Sequence, residues 1–354
     1  MYQSWRKNLR QIALMVSLAV SCGFWQGHCQ PAAKQDQQPR TPELAVKPQV
    51  LAFYEEGWGG IYGGSLPRLK AVGKQVDLVS PVWLGLKADG TINWDKTNPE
   101  AVRFFRQTKL KFLVLVTAGR NSSAILADKG RRNNAMRSMV AYCQKSEAAG
   151  VCLDFEYINP AFKRKFRKFA AALKKALAGR KLFLAVFPYV DWEEPTKEAY
   201  DYRRLGQIGD GVVVMTYDQH RPQDAPGPVA ARGWAKANLD FLLARIAPHK
   251  LWLGVAGYGY RWQKGRRKAV ALPAWYCRKL AVKKGRRDTF NEAAGNDCLQ
   301  YTEKGNEYTV WWESARGLRE KWELAVKYNL AGVALWRLGY EDKEFWEKSQ
   351  GTLP

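Results

Sequence analysis

The sequence is poor in residues that bind metals. Its 354 residues include three histidines, His28, His220 and His249, and six cysteines. The histidines are scattered and no Cys-x-x-Cys pair occurs, so the ligand spacing of zinc sites is missing. We therefore expect no metal centre, and no motif of a bound cofactor is present.

Acidic residues are also scarce: 33 Asp and Glu oppose 57 Lys and Arg, which gives a formal net charge of +24. Such a charge attracts polyanions, although a basic surface can also serve solubility alone. No basic run is interleaved with aromatic residues and no nucleic-acid motif occurs, which argues against nucleic acid as a partner. An anionic polymer of the cell envelope stays open as a partner.

A long hydrophobic run is missing apart from one near the start of the chain. The run IALMVSLAVSCGFW follows Arg6, Lys7 and Arg10, and it is shorter than the roughly 20 residues of a membrane span. This arrangement predicts an export signal over residues 1–29 and an extracellular or cell-envelope location. Within it, LAVSC loosely resembles a lipobox, so a cleaved signal and a lipid anchor at Cys22 both stay open.

The composition is that of a folded protein, with 46% hydrophobic and 13% aromatic residues. Residues 30–48 are rich in Gln, Pro and charge and are predicted to be a flexible linker, whereas 49–348 are predicted to form a monomeric domain. Export permits disulfide bonds. Cys277 and Cys298 flank one loop-rich segment, so we expect them to pair in preference to Cys143 or Cys152.

Eight apolar runs alternate with helical patterns along this domain. Near-continuous apolar runs are typical of parallel strands buried on both faces. Helical patterns lie between them at 132–148 and 313–328, and the basic amphipathic segment 163–181 is predicted to be an outer helix. This order predicts an α/β protein, a (β/α)8 TIM barrel. The runs are 50–55, 76–86, 111–119, 151–158, 182–189, 211–218, 251–259 and 332–339.

The interval between the seventh and eighth runs is too long for one helix. Residues 263–311 within it are basic and polar, contain two cysteines and end near EYTVWW. We predict that they form a small inserted α+β subdomain at the mouth of the barrel. No internal repeat of 20–50 residues is evident.

Polar residues interrupt the apolar runs near their carboxyl ends, where the active site of such a barrel lies. Asp154 and Glu156 end the fourth run, and Tyr217 and Asp218 end the sixth. Tyr258 and Tyr260 mark the end of the seventh, and Trp336 lies in the eighth. Because side chains alternate along a strand, Cys152, Asp154 and Glu156 share the face that points into the barrel, and Leu153, Phe155 and Tyr157 share the face toward the helices.

Two carboxylates side by side resist joint ionisation, so one pKa rises and that group can act as a general acid near neutral pH. The competing interpretation is a pair bound to Arg or Lys at a barrel end. For Trp336, core packing and a floor beneath a sugar ring are both open.

Three of these segments resemble one enzyme family. GVCLDFEYI resembles the catalytic strand of glycoside hydrolase family 18, whose pattern is D-G-x-D-x-D-x-E, and VVVMTYD and GVALWRLG resemble its Met-x-Tyr-Asp and final Trp strands. The resemblance is closest to the chitinase-like branch of spore-cortex and cell-wall N-acetylglucosaminidases. It extends over residues 49–345.

The resemblance implies a secreted hydrolase that cleaves β-1,4 bonds of N-acetylglucosamine glycans, peptidoglycan or chitin-like, with retention and assistance by the substrate. Glu156 would be the acid and then the base, Asp154 would hold the acetamido N–H, and Tyr217 would orient the acetamido carbonyl. The residues expected to contact the substrate are Phe53, Met215, Asp218, Tyr258 and Trp336.

Two positions depart from the family pattern. Cys152 stands where most members have a further Asp, and Ala149 stands where the motif begins with Asp. The missing carboxylate makes a non-catalytic, carbohydrate-binding relative an alternative, although Glu156 and Tyr217 together argue for an enzyme. The catalytic residues do not choose between chitin and peptidoglycan, because both carry the acetamido group.

Overall fold

A computed structural model describes residues 47–57, 59–193 and 195–347. The predicted export signal, Cys22 and all but the last two residues of the predicted linker lie outside the described residues. In the part of the chain that is described, no helix combines the length and apolar character needed to cross a membrane.

The described chain alternates strands and helices. The strands are β1 Gln49–Tyr54, β2 Leu78–Leu86, β3 Ile92–Asp95, β4 Lys111–Thr117, β5 Gly150–Asp154, β6 Lys181–Val186, β7 Gly211–Val214, β8 Leu251–Ala256, β9 Tyr258–Gln263, β10 Val270–Pro273, β11 Phe290–Asn291, β12 Asn296–Glu303, β13 Asn306–Trp312 and β14 Gly332–Trp336. The α-helices are α1 Leu66–Val72, α2 Pro99–Thr108, α3 Ser122–Ala127, α4 Lys129–Ser146, α5 Lys163–Ala176, α6 Tyr202–Ile208, α7 Arg232–Leu243, α8 Ala274–Lys283, α9 Ala315–Lys327 and α10 Glu344–Glu347.

Eight strands close into a parallel barrel in the order β1-β14-β8-β7-β6-β5-β4-β2, and β2 pairs with β1 to complete the ring. Each of the eight apolar runs overlaps one of these strands, so the predicted (β/α)8 barrel is confirmed. Strand β3 lies antiparallel to β2 outside the ring.

The barrel interior is filled by the inward-facing side chains of its strands. Outside the ring, α5 buries Phe166, Phe169, Ala170 and Leu173, which recur at helical spacing. The outer helix expected within 163–181 is therefore present. The interior cluster consists of Leu51, Phe53, Leu113, Leu115, Cys152, Phe183, Val213, Trp252 and Ala334.

A second, antiparallel sheet lies in sequence between β8 and β14, with the order β10-β9-β13-β12-β11. Helix α8 packs on it through a small apolar cluster that includes Cys277, Leu299 and Trp312. This is the expected α+β insertion. The sheet extends from Tyr258 to Trp312 and so contains the predicted range 263–311.

The predicted disulfide between Cys277 and Cys298 is wrong, because both cysteines are free thiols. Cys277 belongs to the cluster under α8, which also contains Leu299 of β12. Since side chains alternate along a strand, Cys298 points to the opposite face of the sheet from Leu299. The closeness of the two segments along the chain did not reveal that the two thiols lie on opposite faces of the sheet.

Candidate active site

Strand β5 carries the acidic motif at the carboxyl end of the barrel. Cys152 belongs to the interior cluster and lies in register between Leu115 of β4 and Phe183 of β6. Asp154, the last residue of β5, lies two residues further along the same face, in register with Thr117. Phe155 points outward, where its ring stacks 5.7 Å from that of Phe169.

The carboxyl group of Asp154 has an orphaned acceptor. Its Oδ1 atom is buried and has no hydrogen-bond partner. Burial penalises the charged form and raises the pKa of Asp154 to about 7. Because buried polar atoms are almost always paired, an unpaired carboxylate oxygen at a barrel mouth calls for a donor supplied by a ligand.

Glu156 is the group best suited to hold a proton at neutral pH. Burial, followed by the nearby charges of Asp154 and Asp218, raises the pKa of Glu156 to about 9. The three carboxyl groups are thus brought into one electrostatic neighbourhood from two barrel strands. No Arg or Lys forms an ion pair with Glu156 or Asp154 among the described residues, so the salt-bridge interpretation of the motif has no support.

Tyr217 is held in the same neighbourhood by the end of β7. The Oγ1 of Thr216 donates to the carbonyl of Gly254 at 2.7 Å, which ties this segment to β8. Gly254 leaves room for the tyrosine, since a Cβ there would lie 3.1 Å from Cε1 of Tyr217 and 2.4 Å from the carbonyl oxygen of Val214. Burial, then Asp154, Asp218 and Glu156, raise the pKa of Tyr217, so its hydroxyl remains a donor.

The inserted sheet contributes to the site by holding the side chain of Asp218, which follows β7. The hydroxyls of Tyr258 and Tyr260, two residues apart on β9, both donate to Oδ1 of Asp218, with 2.7 Å for Tyr260. Burial raises the pKa of Asp218, whereas these hydrogen bonds act in the opposite direction. Met215, three residues before Asp218, is buried. Tyr258 and Tyr260 are therefore placed to orient Asp218. The sequence placed both tyrosines at this end of the barrel, but only Tyr258 was expected to contact the substrate.

Trp336 ends β14 on the opposite side of the barrel mouth from β5. Its ring meets that of Phe53 edge-on at a centroid distance of 5.5 Å, and the Trp336–Arg337 peptide bond is cis. Trp336 is partly exposed, whereas Phe53 is only 2% exposed. The structure thus offers one indole face at the mouth and places Phe53 beneath it as support.

Acidic residues that follow β1 form a second group that the sequence reasoning missed. Glu55 pairs with Arg337, which also contacts Tyr340, so the ends of β1 and β14 are joined. Glu56 accepts from Nε1 of Trp83 at 2.9 Å and from Nδ2 of Asn98 at 2.7 Å. The sequence feature that could have revealed this group is the pair Glu55-Glu56 at the end of an apolar run. The acidic residues at the end of β5 were found from the same kind of feature.

A cavity of about 1230 Å³ opens at the other end of the barrel. Its lining includes Gln49, Lys111 and Lys181, which begin their strands. It includes none of the residues Asp154, Glu156, Tyr217, Asp218 and Trp336. Since catalytic groups of such barrels lie at the carboxyl ends of strands, the cavity is not the active site.

Within the described ranges, no group of three or more His, Cys, Asp or Glu side chains is arranged to hold a metal ion.

Comparison with known proteins places this geometry in a family. The model of the glycosyl hydrolases family 18 matches residues 64–341. An uncharacterized glycosylase, YvbX, of Bacillus subtilis is 28% identical over 236 residues, 64% of this chain and 67% of its own length. A cortical fragment-lytic enzyme of Bacillus cereus is 26% identical over 275 residues, 73% of this chain and 64% of its own length. The chain thus spans about two thirds of the length of these curated relatives.

Solved structures agree in fold. The spore cortex-lytic enzyme SleL of Bacillus cereus superposes with a TM-score of 0.77 at 22% identity, covering 84% of this chain and 73% of that one. A chitinase of Chromobacterium violaceum gives a TM-score of 0.77 at 26% identity, covering 85% and 97%. With the family model matching most of the chain, the protein belongs to the glycosyl hydrolases family 18 and is a glycosidase.

Proposed function

We propose that the protein hydrolyses the β-1,4 bond that follows an N-acetylglucosamine unit in an N-acetylated glycan, with retention of configuration. The observation that carries this proposal is the unpaired, buried Oδ1 of Asp154 beside Glu156 and Tyr217. An acetamido group has one N–H and one carbonyl, so it complements an acceptor at Asp154 and a donor at Tyr217.

In the first step Glu156 gives its proton to the glycosidic oxygen as the bond to the anomeric carbon breaks. The acetamido oxygen of the same sugar bonds to that carbon, and a cyclic oxazolinium forms. Tyr217 holds the acetamido carbonyl in line, and Asp154 accepts the N–H and stabilises the positive charge. In the second step the Glu156 carboxylate takes a proton from water, whose oxygen reopens the ring from the original side.

The substrate class is tested by assaying the full chain on chitooligosaccharides and on peptidoglycan. We expect cleavage of at least one of these glycans, with the β anomer as the first product seen by ¹H NMR, because two inversions restore configuration. A first product of α configuration would contradict substrate assistance. Relatives named as cortical fragment-lytic enzyme and as chitinase make both glycans reasonable choices.

The second candidate function is glycan binding without turnover, which Cys152 at an expected Asp position favours. Binding of either glycan without products, unaltered in Glu156→Gln, would support it over hydrolysis.

We further propose that the protein is exported and monomeric and that its net charge of +24 holds it on anionic envelope polymer. Such binding should weaken steeply with salt.

The pH–rate profile should respond to Cys152→Asp. The reaction needs ionised Asp154 and protonated Glu156, so kcat/KM should fall below about pH 7, where Asp154 gains a proton, and above about pH 9, where Glu156 loses one. A carboxyl at the buried position 152 would keep its proton and donate it to the orphaned Oδ1 of Asp154. We expect the acid limb to move to lower pH in Cys152→Asp, whereas Cys152→Ala, which offers no donor, should leave it in place. An unchanged profile in Cys152→Asp would mean that position 152 is uncoupled from Asp154.

A further inference from the structure

Tyr157, the residue directly after Glu156, is displayed to solvent. Alternation predicted that it packs against the helices with Phe155, and this prediction is wrong: its side chain is 42% exposed and its φ is +51°. Strand β5 has already ended at Asp154, so the chain is free to turn. The turn is held by Ser123, whose Oγ donates to the carbonyl of Tyr157 at 3.2 Å and accepts from the amide of Asn159 at 2.8 Å.

Arg120 reaches the ring of Tyr157 from the neighbouring strand. It follows β4, which pairs with β5, and its guanidinium carbon lies 5.2 Å from the ring centroid. Phe187, after β6, meets the same ring edge-on at 6.4 Å. Arg120 is exposed, and no carboxylate of the described ranges forms an ion pair with it. The tyrosine ring is thus fixed in place, while the guanidinium beside it keeps its charge available.

The position of this pair relates it to the bond that is cleaved. In the barrel ring β5 and β14 are four places apart in either direction, so Tyr157 and Trp336 lie on opposite sides of the mouth. With the acetamido sugar over Trp336 and the acid next to Tyr157, the adjoining sugar extends toward Tyr157. An aromatic ring stacks on a sugar face, and a planar guanidinium binds a carboxylate through two parallel hydrogen bonds.

We propose that Arg120 and Tyr157 form a subsite for a sugar that carries a carboxylate, adjoining the N-acetylglucosamine unit at Trp336. This inference rests on the proposed function and sharpens it, since chitin has no carboxylate, whereas every second sugar of a peptidoglycan strand carries a lactyl group whose carboxylate is free once the stem peptide has been removed. The subsite would therefore select acidic, N-acetylated glycan strands.

The test uses peptidoglycan strands freed of their peptides, both as isolated and after chemical reduction of the carboxylates to alcohols. For the full-length protein we expect kcat/KM to be about tenfold or more higher on the acidic strand, the usual size of a charge-assisted hydrogen bond. In Arg120→Gln this ratio should fall to about one. Arg103→Gln, which removes an exposed arginine on α2, should keep the ratio of the unaltered protein.

Binding to Glu156→Gln separates this inference from the proposed function. If calorimetry shows that this variant prefers the acidic strand and that adding Arg120→Gln abolishes the preference, the subsite stands even when hydrolysis fails. If the protein hydrolyses chitooligosaccharides and both strands with a ratio near one, or if the ratio persists in Arg120→Gln, the subsite is overturned and the proposed function stands.

Discussion

Replacing Glu156 with glutamine is expected to lower kcat on N-acetylated glycans by about 10²–10⁴-fold, the contribution of general acid–base catalysis. Because burial and the charges of Asp154 and Asp218 keep Glu156 protonated at neutral pH, glutamine matches its charge and shape. Substrate binding should therefore persist while the leaving oxygen loses its proton donor. Steady-state kinetics on chitooligosaccharides, together with the affinity of the variant for them, measures both quantities.

The role of Glu156 as an acid can be separated from a structural role with an aryl glycoside. An aryl leaving group departs without a proton, so the loss of kcat in Glu156→Gln should be smaller on that substrate than on a chitooligosaccharide. Glu323→Gln, which alters an exposed glutamate on α9, serves as the matched control and should retain activity. An equal loss on both substrates would assign Glu156 to positioning and not to proton transfer.

Replacing Asp154 with asparagine is expected to lower kcat/KM by about 10²–10³-fold, the size of removing one preorganised group that stabilises a charged intermediate. The variant loses the negative charge beside the oxazolinium, and its amide can turn a donor toward the acetamido N–H. The acetamido N–H of the substrate would then no longer face an acceptor at the position of the unpaired Oδ1 of Asp154. The same kinetic assays measure the loss.

A stable thiazoline analogue of the oxazolinium provides an independent measurement for Asp154. In its protonated form the ring nitrogen carries an N–H that donates to the acceptor at Asp154, so Asp154→Asn should bind the analogue at least about tenfold more weakly than the unaltered protein does. Asp240→Asn, on the exposed side of α7, removes a carboxylate far from the barrel mouth and should bind it normally. Unchanged affinity in Asp154→Asn would exclude a direct contact with the acetamido nitrogen.

Part of the active site could be assigned from the local sequence pattern alone. Asp154, Glu156, Tyr217 and Trp336 could be assigned to one barrel mouth from the sequence, because parallel strands of a closed barrel deliver their carboxyl ends to the same place. The hydrogen bonds that Asp218 accepts could not be assigned with them. Tyr258 and Tyr260 lie about 40 residues further along, on an inserted strand whose register no local pattern specifies.

The exposed ring of Tyr157 shows the limit of alternation itself. The rule that placed Cys152 and Asp154 correctly holds only while the strand continues, and β5 ends at Asp154. Beyond that point the direction of a side chain depends on backbone angles set by contacts with other elements, here Ser123 of α3. The same dependence on distant contacts explains why Cys277 and Cys298 lie on opposite sides of their sheet.

The amino-acid sequence by itself determined the eight-stranded barrel, the inserted α+β segment and the family. Apolar runs buried on both faces and the order of the Asp-x-Glu, Met-x-Tyr-Asp and Trp strands are local properties of the chain. Only the tertiary structure decided that Asp154 keeps an unpaired oxygen, that β9 fixes Asp218 and that Arg120 lies over Tyr157. These contacts join elements distant in sequence, so their geometry follows from how the elements pack and not from the residues of any one segment.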